Sequence, residues 1–224
     1  MQINKQKVLN VISEKVHGRE FYSNEMIDEL FILIDKVYKN LKIEECKTDE
    51  EKIIKINNFL RDKCRFKKDY FKFYDNNLPL SKDFYIYRTA YSALKFTEST
   101  CIAYTEAMRV LLAGLNIDSK TVVCKLPGEN KLMSHYSSII RYNKNGKIVY
   151  KTFDPERENY TIRHNLDFKK YVDETIFISP TDYFCNHKLD TGGCGLLVND
   201  YLKTNPIKFK GNLSAEALYN SRSK

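Results

Sequence analysis

The chain has 224 residues, of which 42% are hydrophobic and 13% aromatic, and a formal net charge of +8. Such a length and apolar content support one domain with a real core and exclude a disordered chain. The six cysteines are too sparse for a disulfide scaffold and form no C-x-x-C pair, so no metal site is expected.

In chain order, Met1-Gln2-Ile3-Asn4-Lys5 leads into charged residues rather than an apolar signal core. That points to a cytoplasmic protein, or a secreted one if a leader has been removed. No apolar run approaches the roughly 18 residues of a membrane span. Residues 5–16 read as a short helix with Val8, Val11, Ile12 and Val16 inward, closed by Gly18. His17 at its end suits the negative pole of the helix dipole. Ser23 opens a stronger helix, in which Met26, Ile27, Leu30, Phe31, Ile34, Val37 and Leu41 recur at three and four. Thr48-Asp49-Glu50-Glu51 is a capping box, followed by Ile53, Ile56 and Leu60. This helical front end either offers a partner surface or packs on a sheet, and packing is the expectation.

A denser basic stretch follows at Lys63, Arg65, Lys67, Lys68 and Lys72, interleaved with Phe66, Tyr70, Phe71, Phe73 and Tyr74. Such a pattern can form a stacking platform for a nucleic-acid strand. It fits better a solvated loop whose aromatics pack inward, and nucleic acid is not an expected partner. Asn76-Asn77-Leu78-Pro79 breaks the chain. Helix resumes over 84–95 and delivers Tyr91 and Leu94 to its neighbour.

The stretch from Ser99 to Gly114 reads as a helix that begins at Cys101. Ser99 or Thr100 can cap its first turn. Ala103, Ala107, Met108 and Leu111 make an inward stripe, and Gly114 suits a left-handed closing position. A first-turn cysteine sits at the positive helix pole, where a thiol pKa can fall toward roughly 3.5–7.5. The backbone N–H groups there can also hold a developing oxyanion. Taken alone, Cys101 fits a buried structural cysteine better, and the residues downstream change that balance.

Thr121-Val122-Val123-Cys124 reads as a core strand, and Leu126 to Lys131, which includes Asn130, as the loop leading to His135. His135 opens an alternating run with Ser137 and Ile139 on one face and Tyr136, Ser138 and Ile140 on the other. Asn145-Gly146 is a hairpin signal between this run and Lys147 to Asp154. If Lys144-Asn145 forms the turn, Asp154 opposes His135. If Asn145-Gly146 forms it, Asp154 opposes Ser137, diagonal to His135. Either register puts both side chains on one face, whereas a three-residue turn without a bulge would separate them. A carboxylate can then orient an imidazole that serves the Cys101 thiol, as in a catalytic triad. Glu174 to Ser179 reads as a further strand. His164 and His187 are secondary candidates for a base, and Cys194, among Gly192, Gly193 and Gly195, is the rival nucleophile.

The order Cys, His, Asp resembles the transglutaminase-like superfamily of cysteine enzymes, nearest its bacterial and cytoskeletal peptidase branch. The resemblance rests on Ala90-Tyr91-Ser92-Ala93-Leu94, Cys101-Ile102-Ala103-Tyr104 and Leu115-Asn116-Ile117. It continues with His135-Tyr136-Ser137-Ser138 where the family has His-Ala-Trp-Asn, and Asp154-Pro155-Glu156 where it has Asp-Pro-Thr. It spans about Asp49 to His187. Two departures stand out: Glu98-Ser99-Thr100 replaces the family's glycine before the cysteine, and Tyr136 stands where it has tryptophan.

The resemblance implies an α+β, papain-like core with helices packed on an antiparallel sheet of four to five strands. It further implies a helical extension over 1–45, a catalytic core over 46–190 and a C-terminal extension over 191–224. Cys101, His135 and Asp154 would attack a peptide or amide, with Thr100, Tyr136 and Asn130 at the rim of the site. No cofactor is implied. Hydrolysis is the expectation, acyl transfer to an amine the first alternative, and an inert binding module of the same shape the second.

Overall fold

A computed structural model describes residues 2–14, 19–67, 85–125, 134–167 and 176–180. Three N-terminal helices come first: α1 (Lys5–Ile12), α2 (Asn24–Asn40) and α3 (Asp49–Lys63). Each begins where its sequence caps it. The side chains of Asn4, Ser23 and Thr48 accept from the backbone N–H of Lys7, Met26 and Glu51. The capping box over Thr48 is offset by one residue, because the Glu51 carboxylate accepts from Lys47 N at 2.7 Å. The expected apolar stripes turn inward: Val8, Val11 and Ile12 on α1, Ile27, Leu30, Ile34 and Val37 on α2, and Ile53, Ile56 and Leu60 on α3 are buried.

The short strand β1 (Arg65–Phe66) pairs in parallel with β2 (Glu98–Ser99). Between them lies α4 (Ala90–Lys95), capped by Thr89. The predicted helix over 84–95 is interrupted: Tyr85 and Ile86 are helical, the chain turns over Tyr87 to Thr89, and helix resumes at Ala90. Most of the basic aromatic stretch after Lys67 lies outside the described residues, as do Val16, His17 and Gly18.

Helix α5 (Cys101–Gly114) is the hub. It packs against α1, α3, α4 and two strands of the main sheet. Every residue from Ile102 to Gly114 is buried, so the helix is covered all round rather than along one stripe. Truncating Met108 or Leu111 there to alanine should cost about 2–5 kcal/mol. Gly114 does not take the left-handed position expected of it. It belongs to the helix, and the left-handed residue is Asn116, with φ 64°. Packing explains the glycine instead: a Cβ at Gly114 would collide with the Tyr38 hydroxyl, which donates to the Leu111 carbonyl.

The main sheet comprises β3 (Asp118–Lys125), β4 (Ser134–Lys144), β5 (Lys147–Phe153) and β6 (Ile176–Pro180), in the order β5-β4-β3-β6 and antiparallel throughout. Helix α6 (Pro155–Arg163) follows β5. Helices against an antiparallel sheet make this an α+β fold, with four strands in the described sheet. The β4–β5 turn is the two-residue Asn145-Gly146, with φ 53° and 81°, and Lys144 pairs with Lys147. Both central residues have the positive φ that suits the twist of a hairpin. Ile140, Tyr142, Val149 and Phe153 join the helical core. Among the described residues no helix is long and apolar enough to cross a membrane.

Candidate active site

The observed register pairs Ser138 with Phe153, so its continuation sets Asp154 opposite Ser137 and diagonal to His135. The side chains meet. His135 Nε2 lies 2.5 Å from Asp154 Oδ2, and the imidazole is buried. A carboxylate only accepts, so the ring N–H at Nε2 donates.

Asp154 has two tasks. Its Oδ1 accepts from Arg157 N at 3.0 Å and so caps α6, whose first residue is Pro155. One oxygen is fixed by the helix and the other is aimed at the imidazole. Helix α6 is itself held to α3. Asn57 Nδ2 donates to Glu158 Oε2 at 2.8 Å, and Asn159 Nδ2 to the Arg61 carbonyl at 2.5 Å. Burial pushes the Glu158 carboxyl above the ordinary range, because Asn57 and Arg61 only partly offset the lost water.

Sequence reasoning missed a third group. Glu156, buried on the first turn of α6, places Oε2 3.6 Å from His135 Nδ1. Its signal was present: Asp-Pro followed by an acidic residue reads as N-cap, first position and first turn of a helix. His135, Asp154 and Glu156 bring their donor atoms within 4.8 Å of one another. One proton or one small cation could bridge such a trio.

Cys101 is the first residue of α5 and half-buried. Thr100 occupies the N-cap without a side-chain cap bond; its hydroxyl instead donates to the Tyr87 carbonyl at 3.0 Å. Thr105 Oγ1 donates back to the Cys101 carbonyl at 3.0 Å. Among the described residues no hydrogen bond joins the Cys101 sulfur to His135. Tyr104 lies one turn behind Cys101 on the same side of the helix. Its phenol is pushed well above its ordinary pKa, chiefly by burial, with the Glu156 and Asp154 carboxylates adding to it. The Tyr104 and Ser137 hydroxyls are buried with no hydrogen-bond partner among the described residues.

Cys64 is a different kind of thiol. It is fully buried, donates to the Ala93 carbonyl at 3.2 Å, and is pushed up to about 12 by desolvation. Burial makes it an inert core residue. Thr100 and Tyr136, expected at the rim, are both buried. His164 follows α6 as its C-cap, its ring tilted at 4.3 Å from that of Tyr160, outside the trio. Asn130 and its loop, His187 and Cys194 lie outside the described residues, as does the Cys124 side chain.

No family model and no curated protein matches the chain. Among solved structures it is similar to a TGase, with 14% identity, a TM-score of 0.48, and coverage of 60% of this chain and 34% of that one. It is also similar to a protein from Cytophaga hutchinsonii assigned as a cysteine protease, with 13% identity, a TM-score of 0.40, and coverage of 61% and 43%. The aligned region thus spans less than half the length of either neighbour.

Proposed function

We propose that the protein is a cysteine hydrolase of the transglutaminase-like, papain-like kind, acting on peptide or amide bonds through Cys101, His135 and Asp154. The observation that carries the reading is the 2.5 Å bond between His135 Nε2 and Asp154 Oδ2. It sets one ring nitrogen against a carboxylate, and Nδ1 is the nitrogen that takes a proton in this scheme. The half-buried thiol at the head of α5 supplies the nucleophile.

In this scheme the thiol proton passes to His135 Nδ1 and the Cys101 sulfur attacks the carbonyl carbon. The Cys101 backbone N–H stabilises the oxyanion. The imidazolium then protonates the leaving amine as the acyl-enzyme forms. Water completes hydrolysis, with His135 again taking and returning the proton. Asp154 fixes the tautomer and stabilises the imidazolium throughout. The buried Tyr104 and Ser137 hydroxyls supply polar atoms beside this chemistry.

The test is mass spectrometry of a protein digest incubated with the enzyme and with Cys101→Ala, each with and without an added primary amine. New termini or deamidated glutamines with the wild type alone support hydrolysis. Amine adducts would make acyl transfer the principal reaction. Equal product from Cys101→Ala would end the proposal.

A further inference from the structure

We propose that Glu156 is a positioning residue of this site, an acidic partner on the Nδ1 side of His135 that stabilises the imidazolium when the thiol proton arrives. The inference rests on the hydrolase reading and adds to it a residue that the triad does not contain. His135 lies between two carboxylates, with Asp154 2.5 Å from Nε2 and Glu156 3.6 Å from Nδ1. The second distance is too long for a hydrogen bond. It is short for a charge interaction where water is largely excluded, and the His135 and Glu156 side chains are 4% and 10% exposed. Asp154 alone would fix the tautomer. A second carboxylate on the other side favours the charged ring over the neutral one, and so favours the thiolate–imidazolium pair over thiol and imidazole.

The placement of Glu156 is built into the fold. Pro155 starts α6, Asp154 caps it, and Glu156 comes one residue later on a turn anchored to α3 through Glu158. Titratable and charged groups also stand on each packed element. Helix α5 carries Cys101 and Tyr104. Helix α6 contributes Glu158, Arg157 and Arg163, and α3 contributes Arg61, which reaches Glu158 at 3.7 Å. Strand β5 brings Thr152 and Phe153, which carry no charge, and β3 places Cys124 opposite His135 in register. Asp154 and Glu156 each bring a carboxylate oxygen to a ring nitrogen of His135. A purely helical role for Glu156 is the competing account, since acidic residues suit a first turn.

The experiment separates the two. The His135 ring signal is followed by NMR against pH, assigned among the four histidines by its loss in His135→Asn. In Glu156→Gln the His135 midpoint should fall by about one pH unit, and in Glu156→Asp by less. Iodoacetamide labelling of Cys101 at pH 6 should slow about tenfold in Glu156→Gln, with thermal unfolding little changed. A His135 midpoint that moves with Asp154→Asn but not with Glu156→Gln would overturn the proposal and leave Glu156 a helix residue. A wild-type Cys101 that labels no faster than a free thiol would instead sink the hydrolase reading, and the His135 midpoint would still judge Glu156.

Discussion

Asp154 joins two local rules in one side chain, and those rules can be pulled apart. Asparagine caps a helix about as well as aspartate, whereas alanine does not. Asp154→Asn should therefore keep α6 intact, with unfolding free energy within about 0.5 kcal/mol of wild type. If the proposed hydrolase chemistry holds, it should still lose roughly 10²–10⁴-fold in turnover, because the imidazole loses its carboxylate partner. Asp154→Ala should lose the same activity and about 1 kcal/mol of stability as well. Urea unfolding and turnover of both variants check this; equal stability of the two would mean that the bond to Arg157 N contributes nothing. At this scale the sequence was informative about residue type and parity. The pairing of His135 with Asp154 follows from counting residues back from the Asn145-Gly146 turn. The nearness of Glu156 does not, because it depends on the turn that α6 makes after Pro155.

Among the elements, those with both a cap and a stripe were legible. Helices α2 and α3 begin at Ser23 and Thr48 as their side chains dictate, and the hairpin turns where Asn-Gly says it should. Helix α5 was legible at its start and misleading at its end. Glycine suggested a left-handed stop, but the structure spends that residue on close packing with α2. Gly114→Ala should accordingly destabilise by about 1–3 kcal/mol through overpacking against Tyr38. The double variant with Tyr38→Phe should cost less than the sum of the two single changes, since removing the hydroxyl removes the clash. Strict additivity in urea unfolding would refute that account. What the sequence could not supply was the distance from the Cys101 thiol to the His135 ring. Strand alternation puts His135 with Ser137 and Ile139, on the face of β4 opposite Ile140 and Tyr142 of the helical core. Whether the α5 head meets that face depends on twist at the strand ends, which residue spacing does not encode.

The whole molecule is tied together by charges that cross between its layers, and two of them act at opposite ends of the pH scale. Glu50 on α3 receives Lys144 and Lys151 from the hairpin at 2.8 and 3.2 Å, and the Tyr142 hydroxyl at 3.1 Å. Chiefly the Lys144 bond, opposed by some desolvation and helped by Lys151 and Tyr142, holds its carboxyl down at about 2. A carboxyl depressed by folding contributes stability that is complete above its unfolded pKa near 4.5 and is lost as pH falls toward 2. Glu106 on α5 is the reverse case. It is fully buried, and its Oε2 accepts from the Tyr22 hydroxyl at 2.8 Å and Ala90 N at 2.6 Å. Burial outweighs those bonds and the Arg109 charge, raising the carboxyl to about 8. The folded state therefore holds a proton that the unfolded state releases, and this stability is present below 4.5 and lost as pH rises toward 8. The two carboxyls thus pull stability in opposite directions on either side of about pH 4.5. Glu50→Gln should flatten the acid limb between pH 2 and 4.5 and leave the other limb unchanged. Glu106→Gln keeps an oxygen for Tyr22 and Ala90 and cannot ionise, so it should flatten the limb from pH 4.5 to 8. By pH 8 that difference should reach about 1 kcal/mol or more. Urea midpoints of the three proteins at pH 3, 5 and 8 give the answer. A Glu106→Gln variant whose midpoint falls from pH 5 to 8 as steeply as wild type would show that Glu106 is ionised in its core position.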